Sequence, residues 1–296
     1  MKMETLCTCP VCQSSRLSPF LTCKDYTVSQ EEFTLVRCDT CGFVFTNPRP
    51  TEAEIGRYYQ STDYISHSNT KKGIISRVYH AVRRITLKNK LSLLNRLVPG
   101  RGRLLDVGCG TGMFLSVCQE NGWTVSGIEP DPGARQLAEE QIKQPVQDTI
   151  LGSFPGETFQ AITLWHVLEH IHRLEETLTW LQERMATDGR LIIAVPNLES
   201  HDAAAYGEHW AAYDVPRHLY HFAPNTLRPL MGQYGFILEE TLPMPFDSFY
   251  VSMLSTRYRD GKTRYVEAVQ QGLKSNRLGK GERPNYSSLI YVFKKR

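Results

Sequence analysis

A short apolar run that ends in three alternating glycines constrains the fold of this chain more than any other stretch. Residues 103–107, Arg-Leu-Leu-Asp-Val, have the composition of a short buried strand, and glycine follows at positions 108, 110 and 112. The apolar run that starts at Met113 then predicts a helix. Glycine lets the backbone turn sharply and approach a ligand, and the first helical turn offers free N–H groups. The unit therefore predicts a strand, a tight turn and a helix around a nucleotide-like cofactor.

The spacing of the glycines separates one cofactor class from another. The dinucleotide fingerprint G-x-G-x-x-G would need glycine where Met113 stands, and the Gly-Lys-Ser/Thr of a phosphate-binding P-loop is absent from the sequence. The remaining pattern, Asp106-x-Gly-x-Gly-x-Gly112, resembles the first motif of the Rossmann-like S-adenosylmethionine-dependent methyltransferases. An ordinary glycine-rich turn of another α/β enzyme is the alternative.

The segments after this motif extend the expected cofactor site. Glu129 closes a second predicted strand, where a carboxylate of a βαβ unit can accept hydrogen bonds from ribose hydroxyls. Asp148 falls where such folds contact the adenine amino group. The residues that we expect to bind the cofactor are Asp106, Gly108, Cys109, Gly110, Gly112, Glu129, Pro130, Asp148 and Trp165.

The predicted elements alternate as in a doubly wound, Rossmann-like parallel sheet. Seven strands are expected, the last two as an antiparallel hairpin: 103–107, 123–129, 145–148, 159–165, 190–197, 236–240 and 288–293. The polar and basic stretch 243–286 is interpreted as a helical or mobile insertion. The domain prediction is a zinc-ribbon-like region at 1–50, a helical basic linker at 51–98 and a methyltransferase domain at 99–296.

The first fifty residues hold six of the eight cysteines. Two C-x-x-C pairs, Cys9 with Cys12 and Cys38 with Cys41, have the spacing of a tetrahedral Cys₄ zinc site. A site with four cysteine ligands is full, so its expected role is structural, and zinc binding would stabilise a segment too short for its own core. Unligated or redox-active thiols are the alternative. Cys7 and Cys23 match neither pair.

A long amphipathic segment from residue 71 to residue 97 has apolar residues at helical spacing. Its other face is basic and carries Lys71, Lys72, Arg77, Arg83, Arg84, Lys88, Lys90 and Arg96. A solvated helix face is one interpretation, and a surface for an anionic substrate or membrane headgroups is the other.

Histidines concentrate in one part of the chain, where seven of nine fall between residues 166 and 221. This window follows the fourth and fifth predicted strands, whose carboxyl ends bind ligands in open α/β folds. Histidine can accept the proton that methyl transfer to a hydroxyl or an acidic carbon releases. The candidate catalytic residues are His166, Glu169, His170, His218 and His221. Each could instead serve packing, and the pair His166 and His170 lacks an evident third metal ligand.

The stretch from Asp214 to Phe222 is dense in functional groups and is a candidate lining of the acceptor pocket. Arg217 would suit a phosphate or carboxylate. Trp210 could stack on a ring of the acceptor.

The motifs together resemble the bacterial class I methyltransferase family, and this resemblance covers most of residues 100 to 240. The cysteine pairs with residues 43–50 are similar to the zinc-binding region that precedes sugar C-methyltransferases. The resemblance implies S-adenosylmethionine held by Asp106, the three glycines and Glu129. No Asn/Asp-Pro-Pro-Tyr motif follows the fourth predicted strand, where Leu164-Trp-His-Val stands, so methylation of amino groups on DNA bases is disfavoured.

The expected function is methyl transfer to an oxygen or carbon of a small acceptor, with a histidine base. The acceptor is expected to be anionic, such as a sugar or another phosphate-bearing cell-envelope precursor, with lipid-linked or membrane contact through the basic helix. The net charge of +3 is too small to indicate nucleic acid. An RNA methyltransferase that uses the ribbon and basic helix, and a non-catalytic cofactor-binding zinc scaffold, are the alternatives. With no apolar run of 18 residues and no signal segment, a cytoplasmic location is expected. The oligomeric state stays open.

Overall fold

A six-stranded sheet forms the centre of the fold in the computed structural model, which describes residues 2–60 and 74–296 and, for 74–79, the backbone only. Its strands are β6 (Arg103–Val107), β7 (Thr124–Ile128), β8 (Phe159–Trp165), β9 (Met185–Pro196), β11 (Phe236–Pro243) and β12 (Ser288–Lys295). They lie in the order β11-β12-β9-β8-β6-β7. The first four pair in parallel, and β12 is antiparallel to both β9 and β11. The expected doubly wound sheet with a terminal antiparallel hairpin is confirmed.

One of the seven expected strands is reduced to a single bridge. Residues 145–148 contribute only a parallel bridge between Gln147 and Ile128. Pro145 has no N–H to donate, and Val146 is the one buried residue of the four. The segment therefore cannot extend the sheet as a full strand.

Helices cover both faces of the sheet, because successive side chains along each strand point to opposite sides. The helices are α1 (Ile74–Leu97), α2 (Met113–Glu120), α3 (Pro132–Ile142), α4 (Leu174–Arg184), α5 (His201–Tyr206) and α6 (Pro224–Gln233). Helices α1, α2 and α3 pack on the face that holds Leu104 and Ile192. Helices α4 and α6 pack on the face that holds Leu105 and Ile193. Lys71 and Lys72 of the predicted basic face, and the side chain of Arg77, lie outside the described residues.

The insertion between β11 and β12 is helical. It contains α7 (Asp247–Asp260) and α8 (Tyr265–Leu278), which pack against each other. No helix in residues 2–60 or 74–296 is both long and apolar enough to cross a membrane.

The amino-terminal region is built from short strands that join the rest of the molecule. The strands are β1 (Met3–Glu4), β2 (Leu17–Lys24), β3 (Glu32–Cys38), β4 (Val44–Thr46) and β5 (Arg49–Pro50). Strand β10, Tyr220–His221, pairs with β4 at the edge of the antiparallel sheet β10-β4-β3-β2. Phe43 and Phe45 also pack in the same apolar core as Leu105. The cysteine region is therefore joined to the central domain by both a strand and a shared core.

Candidate active site

The glycine loop connects β6 to α2, and its three glycines have different surroundings. All three have positive φ, between 55° and 74°. A Cβ on Gly108 would come within 2.5 Å of Val167 Cγ2, and a Cβ on Gly112 within 2.8 Å of Ala138 Cα. A Cβ on Gly110 would meet no atom within 4 Å. Gly108 and Gly112 thus permit close packing, and Gly110 faces the open space that a ligand can enter.

The carboxylate of Glu129 is fixed beside this loop at the end of β7. Its Oε2 accepts a hydrogen bond from Gly110 N at 2.8 Å, and its Oε1 accepts one from Asp131 N at 3.0 Å. Burial raises the pKa of Glu129, while these two backbone hydrogen bonds lower it in part. Because the backbone holds both oxygens, the carboxylate is oriented before any ribose binds. Pro130 follows, and its carbonyl accepts from Arg135 Nη1 at 3.0 Å.

Asp106 lies buried on β6, the strand that leads into the loop. Its Oδ1 accepts a hydrogen bond from Thr163 Oγ1 at 2.6 Å. Burial raises the pKa of Asp106 to about 7, although Thr163 and the charge of Lys90 act in the opposite direction. Burial likewise lowers the pKa of Lys90 to about 8. Its Nζ lies 4.1 Å from the centroid of the Trp165 ring.

The other expected cofactor residues have distinct positions. Trp165 ends β8, and its ring packs edge-to-face against Phe114 of α2 at 5.8 Å. Cys109 is buried, with its Sγ against Gly127. Asp148 is exposed. An oriented carboxylate at Glu129, open space at Gly110, and a cation at Lys90 near Asp106 fit a cofactor with ribose hydroxyls and an amino-acid end.

His166 lies just beyond the end of β8, between two carboxylates. Its Nε2 is 3.1 Å from Asp247 Oδ2, and its Nδ1 is 3.5 Å from Glu169 Oε1. Burial favours the neutral ring, but the carboxylates of Asp247 and Glu169 outweigh it and raise the pKa of His166 to about 10. The ring is therefore an imidazolium at neutral pH, which is unsuited to accept a proton by itself.

His170 and His218 also lie close to Glu169. His170 Nδ1 lies 3.0 Å from the Arg217 carbonyl oxygen and 2.9 Å from the Tyr59 hydroxyl, and His218 Nδ1 lies 2.9 Å from the Ala212 carbonyl oxygen. Since a carbonyl only accepts, each Nδ1 carries the proton that it donates to its carbonyl partner.

These two histidines and the buried Glu169 form a compact set. His218 Nε2 is 4.0 Å from Glu169 Oε1, and one atom from each of the three residues lies within 4.8 Å of the others. Two imidazoles and a carboxylate are a donor set that could hold a divalent cation. The candidate metal-ligand partners of His170 are therefore Glu169 and His218. The i, i+4 spacing in the sequence pointed to His166 instead.

His221 lies apart from this cluster, on β10. It is buried, its Nε2 is 3.1 Å from Thr46 Oγ1, and burial lowers its pKa to about 3. Its ring packs edge-on against Tyr213 at 5.5 Å. These contacts join the amino-terminal sheet to the central domain.

Arg217 does not face an acceptor pocket, which corrects the expectation that it would bind a phosphate or carboxylate of the acceptor. Its guanidinium donates to Asp25 at 3.0 Å, to Asp214 at 2.7 Å and to the Tyr58 carbonyl at 2.9 Å. All of its charge is therefore used within the protein.

Trp210 requires a similar correction. It is buried, its Nε1 donates to Asp202 Oδ2 at 2.9 Å, and its ring packs edge-to-face on Tyr213 at 5.0 Å. It has no face free for a ring of the acceptor. The types of these two residues suggest contacts with a ligand, but the structure gives Arg217 the partners Asp25 and Asp214, and Trp210 the partners Asp202 and Tyr213.

A cavity of about 280 Å³ opens at the carboxyl end of β8, between α1 and the start of the insertion. It is lined by Thr86, Asn89, Lys90, Leu93, Trp165, Leu242, Pro243, Met244, Pro245, Phe246, Asp247 and Ile290. Asp247 and Lys90 are its charged groups. The sequence offered no signal for Asp247, because the insertion that carries it follows no catalytic pattern.

The four cysteines of the two C-x-x-C pairs converge at the amino terminus. Cys9 Sγ is 3.6 Å from Cys41 Sγ, Cys12 Sγ is 3.5 Å from Cys38 Sγ, and all four sulfurs lie within 4.8 Å of one another. Tetrahedral zinc with Zn–S bonds near 2.3 Å separates its sulfurs by roughly 3.8 Å. The sulfurs therefore fit a zinc ion.

The fold and the loop that holds Glu129 beside Gly110 define a class I S-adenosylmethionine-dependent methyltransferase. The family model described as a methyltransferase domain matches residues 79–241, which is more than half of the chain. The chain belongs to this family. The match begins after the cysteine cluster, so the interpretation of that cluster rests on its geometry.

Comparisons with individual proteins agree on the fold. The chain is 27% identical over 167 residues to the ubiquinone biosynthesis O-methyltransferase of Azorhizobium caulinodans, which covers 51% of this chain and 65% of that protein. The corresponding mitochondrial protein of Schizosaccharomyces pombe is 26% identical over 101 residues, 31% of this chain and 37% of that protein. The chain thus spans less than two thirds of these relatives. The structure of magnesium protoporphyrin IX methyltransferase from Synechocystis PCC 6803 covers 81% of this chain and 97% of its own, at 15% identity and a TM-score of 0.53.

Proposed function

We propose that this protein transfers the methyl group of S-adenosylmethionine to an oxygen or carbon of a small, largely apolar acceptor bound in the cavity beside Trp165. The observation that carries the proposal is the position of this cavity. It opens at the carboxyl end of β8, where open α/β folds bind ligands, and Trp165 separates it from the helix that follows the glycine loop. Trp165 therefore lies between the cavity and the helix that begins at the cofactor loop.

Different residues of the chain bind different parts of the cofactor. Glu129 accepts hydrogen bonds from the ribose hydroxyls, the open space at Gly110 admits the nucleoside, and Lys90 near Asp106 receives the amino-acid end. When bound, S-adenosylmethionine supplies an electrophilic methyl group on a positively charged sulfur. No phosphate has to be neutralised, which agrees with the absence of a lysine from the glycine loop.

The lining of the cavity favours an acceptor with an apolar body. Eight of its twelve residues are apolar or aromatic, and its volume of about 280 Å³ suits a molecule of one or two rings. This favours an aromatic or isoprenoid body over an unsubstituted sugar. The curated relative from Azorhizobium caulinodans is an O-methyltransferase, which favours oxygen as the methylated atom.

Asp247 and His166 together accept the proton that the acceptor loses. An imidazolium at His166 between two carboxylates, Asp247 and Glu169, gives this group a net charge of −1. It can therefore take up one proton as a coupled unit. Asp247 is the member that lines the cavity, so its carboxylate receives the proton from the acceptor. We assign the base function to this unit in place of a single histidine.

The experiment that tests the proposal follows the label of methyl-labelled S-adenosylmethionine in fractionated cell extract, with and without RNase. Label is expected in organic-soluble small molecules, with a loss of about 10²-fold or more in Asp247→Asn. Asp260→Asn, at the other end of α7, is the matched control and should retain the activity. RNase-sensitive label would contradict a small acceptor, and failure to label any fraction would contradict the enzymatic function.

A further inference from the structure

Helix α8 turns its large apolar side chains toward solvent and its small ones toward the protein. Its buried face consists of Ala268, Gly272 and Ser275, and a Cβ on Gly272 would come within 2.7 Å of the Phe249 ring. Its exposed apolar residues are Tyr265, Val266, Val269, Leu273 and Leu278, at 48% to 73% exposure. A surface helix of a globular domain has the reverse arrangement. Packing among the residues that the structure describes therefore gives no reason for these apolar side chains.

Four of these residues form one continuous stripe. Tyr265, Val269 and Leu273 are spaced by four residues, and Val266 lies three residues before Val269, so all four share one side of the helix. We call this stripe the outer face of α8. Of the ten large apolar side chains found exposed among the described residues, four lie on this stripe. Such a concentration indicates an interaction surface.

The charge around the outer face indicates what it contacts. Residues 262–283 contain six basic and two acidic side chains, a net charge of +4, which exceeds the +3 of the whole chain. Arg277 continues the stripe one turn beyond Leu273. A second copy of the chain would bring like charges together across this face, whereas an anionic lipid surface would neutralise them. A helix with an apolar stripe and flanking basic residues is typical of the membrane interface.

Helix α8 contacts the segment that forms a wall of the cavity. Asn276 Nδ2 donates to the Pro245 carbonyl at 2.8 Å, and Pro245 and Phe246 line the cavity. Phe246 and Tyr250 are themselves exposed. Exposed apolar side chains are therefore present both on α8 and at the start of α7, and Phe246 also lines the cavity.

We propose that the outer face of α8 docks on an anionic lipid membrane, with its apolar side chains in the interface and its basic residues among the headgroups. Docking itself does not depend on methyl transfer. Combined with the function proposed above, it places the cavity where an apolar acceptor dissolved in the bilayer can enter.

Vesicle flotation of the full chain tests the docking without any measurement of activity. The protein should float with vesicles of phosphatidylcholine and phosphatidylglycerol, and binding should weaken as salt is raised. The double variant Val266→Glu and Leu273→Glu should lose about tenfold or more in partitioning. The matched control is Leu137→Glu with Ile237→Glu, two exposed apolar residues outside α8. It changes the net charge by the same amount and should float like the wild type. Thermal melting confirms that both variants fold.

Three results would overturn the proposal. The wild type could fail to float with anionic vesicles, or both double variants could lose binding equally, which would show a charge effect unrelated to α8. A concentration-dependent dimer in light scattering that only the α8 variant abolishes would assign the outer face to self-association. Loss of flotation with intact methyl transfer would bear on the docking alone. Loss of methyl transfer with intact flotation would bear on the proposed function alone.

Discussion

His166 and Asp247 lie 3.1 Å apart, Nε2 to Oδ2, although one follows the fourth predicted strand and the other begins the first helix of the insertion. Glu169 Oε1 lies 3.5 Å from the other ring nitrogen of His166. The insertion is therefore a part of the candidate active site, because it supplies one of the two carboxylates that hold His166 and a wall of the cavity. This relationship determines the protonation state of the ring.

The first prediction concerns that protonation state. His166 should remain charged until about pH 10 in the wild type, because both neighbouring carboxylates favour the imidazolium over the effect of burial. In Asp247→Asn the pKa of His166 should fall by about 1 to 3 pH units, since one opposite charge is removed. Histidine ring resonances in NMR titrations measure this directly. The pairing of His166 with Asp247 would be contradicted if the pKa of His166 were unchanged in Asp247→Asn and changed in Asp260→Asn.

The raised pKa also predicts how stability depends on pH. A group whose folded pKa lies above its unfolded value, here near 6.5, stabilises the fold fully below that value. Its contribution should be lost as the pH rises from about 6.5 through about 10. Urea unfolding at several alkaline pH values should show this loss in the wild type and a smaller loss in Asp247→Asn.

The second prediction concerns the glycine loop. Gly110→Ala should weaken binding of S-adenosylmethionine by about tenfold or more, because the new Cβ enters the open space and the backbone φ of +55° becomes strained. Gly261→Ala is the matched control, since Gly261 also has a positive φ and no atom within 4 Å of a Cβ. Both variants should lose similar stability, and only Gly110→Ala should lose the thermal shift caused by the cofactor. Equal cofactor affinity in both would refute the assignment.

The cofactor loop was predictable because its determinants are local. The spacing of Gly108, Gly110 and Gly112, with the acid at Glu129, depends on one βαβ unit that the sequence specifies by itself. The distinct tasks of the three glycines were not predictable, since they depend on Val167 and Ala138 from other elements. The same reasoning explains why the strand expected at residues 145–148 is only a single bridge in the structure. The apolar content of this segment is one valine, and strand pairing also requires the N–H that Pro145 lacks.

The acceptor side was less predictable because its contacts are long-range. Arg217 has the chemistry of an anion-binding residue, but its partner Asp25 lies in the amino-terminal region. Asp247 lies in an insertion with no recognisable motif. Lys90 appeared as one of many basic residues on a helix, and only the packing of α1 places it over Trp165. Residue type alone could not show that Arg217 is a structural cation and that Lys90 lines the cavity.

The third prediction concerns the cysteine cluster. Metal analysis should find about one zinc per chain, because four sulfurs within 4.8 Å of one another satisfy a Cys₄ site. The double variant Cys38→Ser and Cys41→Ser should lose this zinc and melt at a lower temperature, since metal binding contributes to folding. Cys7→Ser is the control, because Cys7 is exposed and outside the cluster. Folded wild-type protein without metal, or zinc retained in the double variant, would show that the cluster is not a zinc site.

The fourth prediction concerns the buried ion pair that joins the amino-terminal region to the loop before β10. Arg217→Met should destabilise the fold by about 3–5 kcal/mol, because it leaves the carboxylate of Asp25 buried without its cation. Arg173→Met is the matched control. Arg173 pairs with Glu52 at 3.0 Å across the same two regions, but both side chains are exposed, so its loss should change stability little. Urea unfolding at pH 7 measures both.

The same pair predicts a weakness in acid. Burial alone would raise the pKa of Asp25, but the charge of Arg217 and the backbone hydrogen bonds to its carboxylate hold the pKa below 3.8. A carboxylate with a lowered folded pKa stabilises the fold above its unfolded pKa, near 3.9, and loses this contribution as the pH falls through the folded value. Asp25→Asn should therefore reduce the loss of stability below about pH 4, whereas Asp188→Asn, at an exposed position of β9, should leave it unchanged. An identical acid dependence in the wild type and Asp25→Asn would show that the charge of Asp25 does not hold the two regions together.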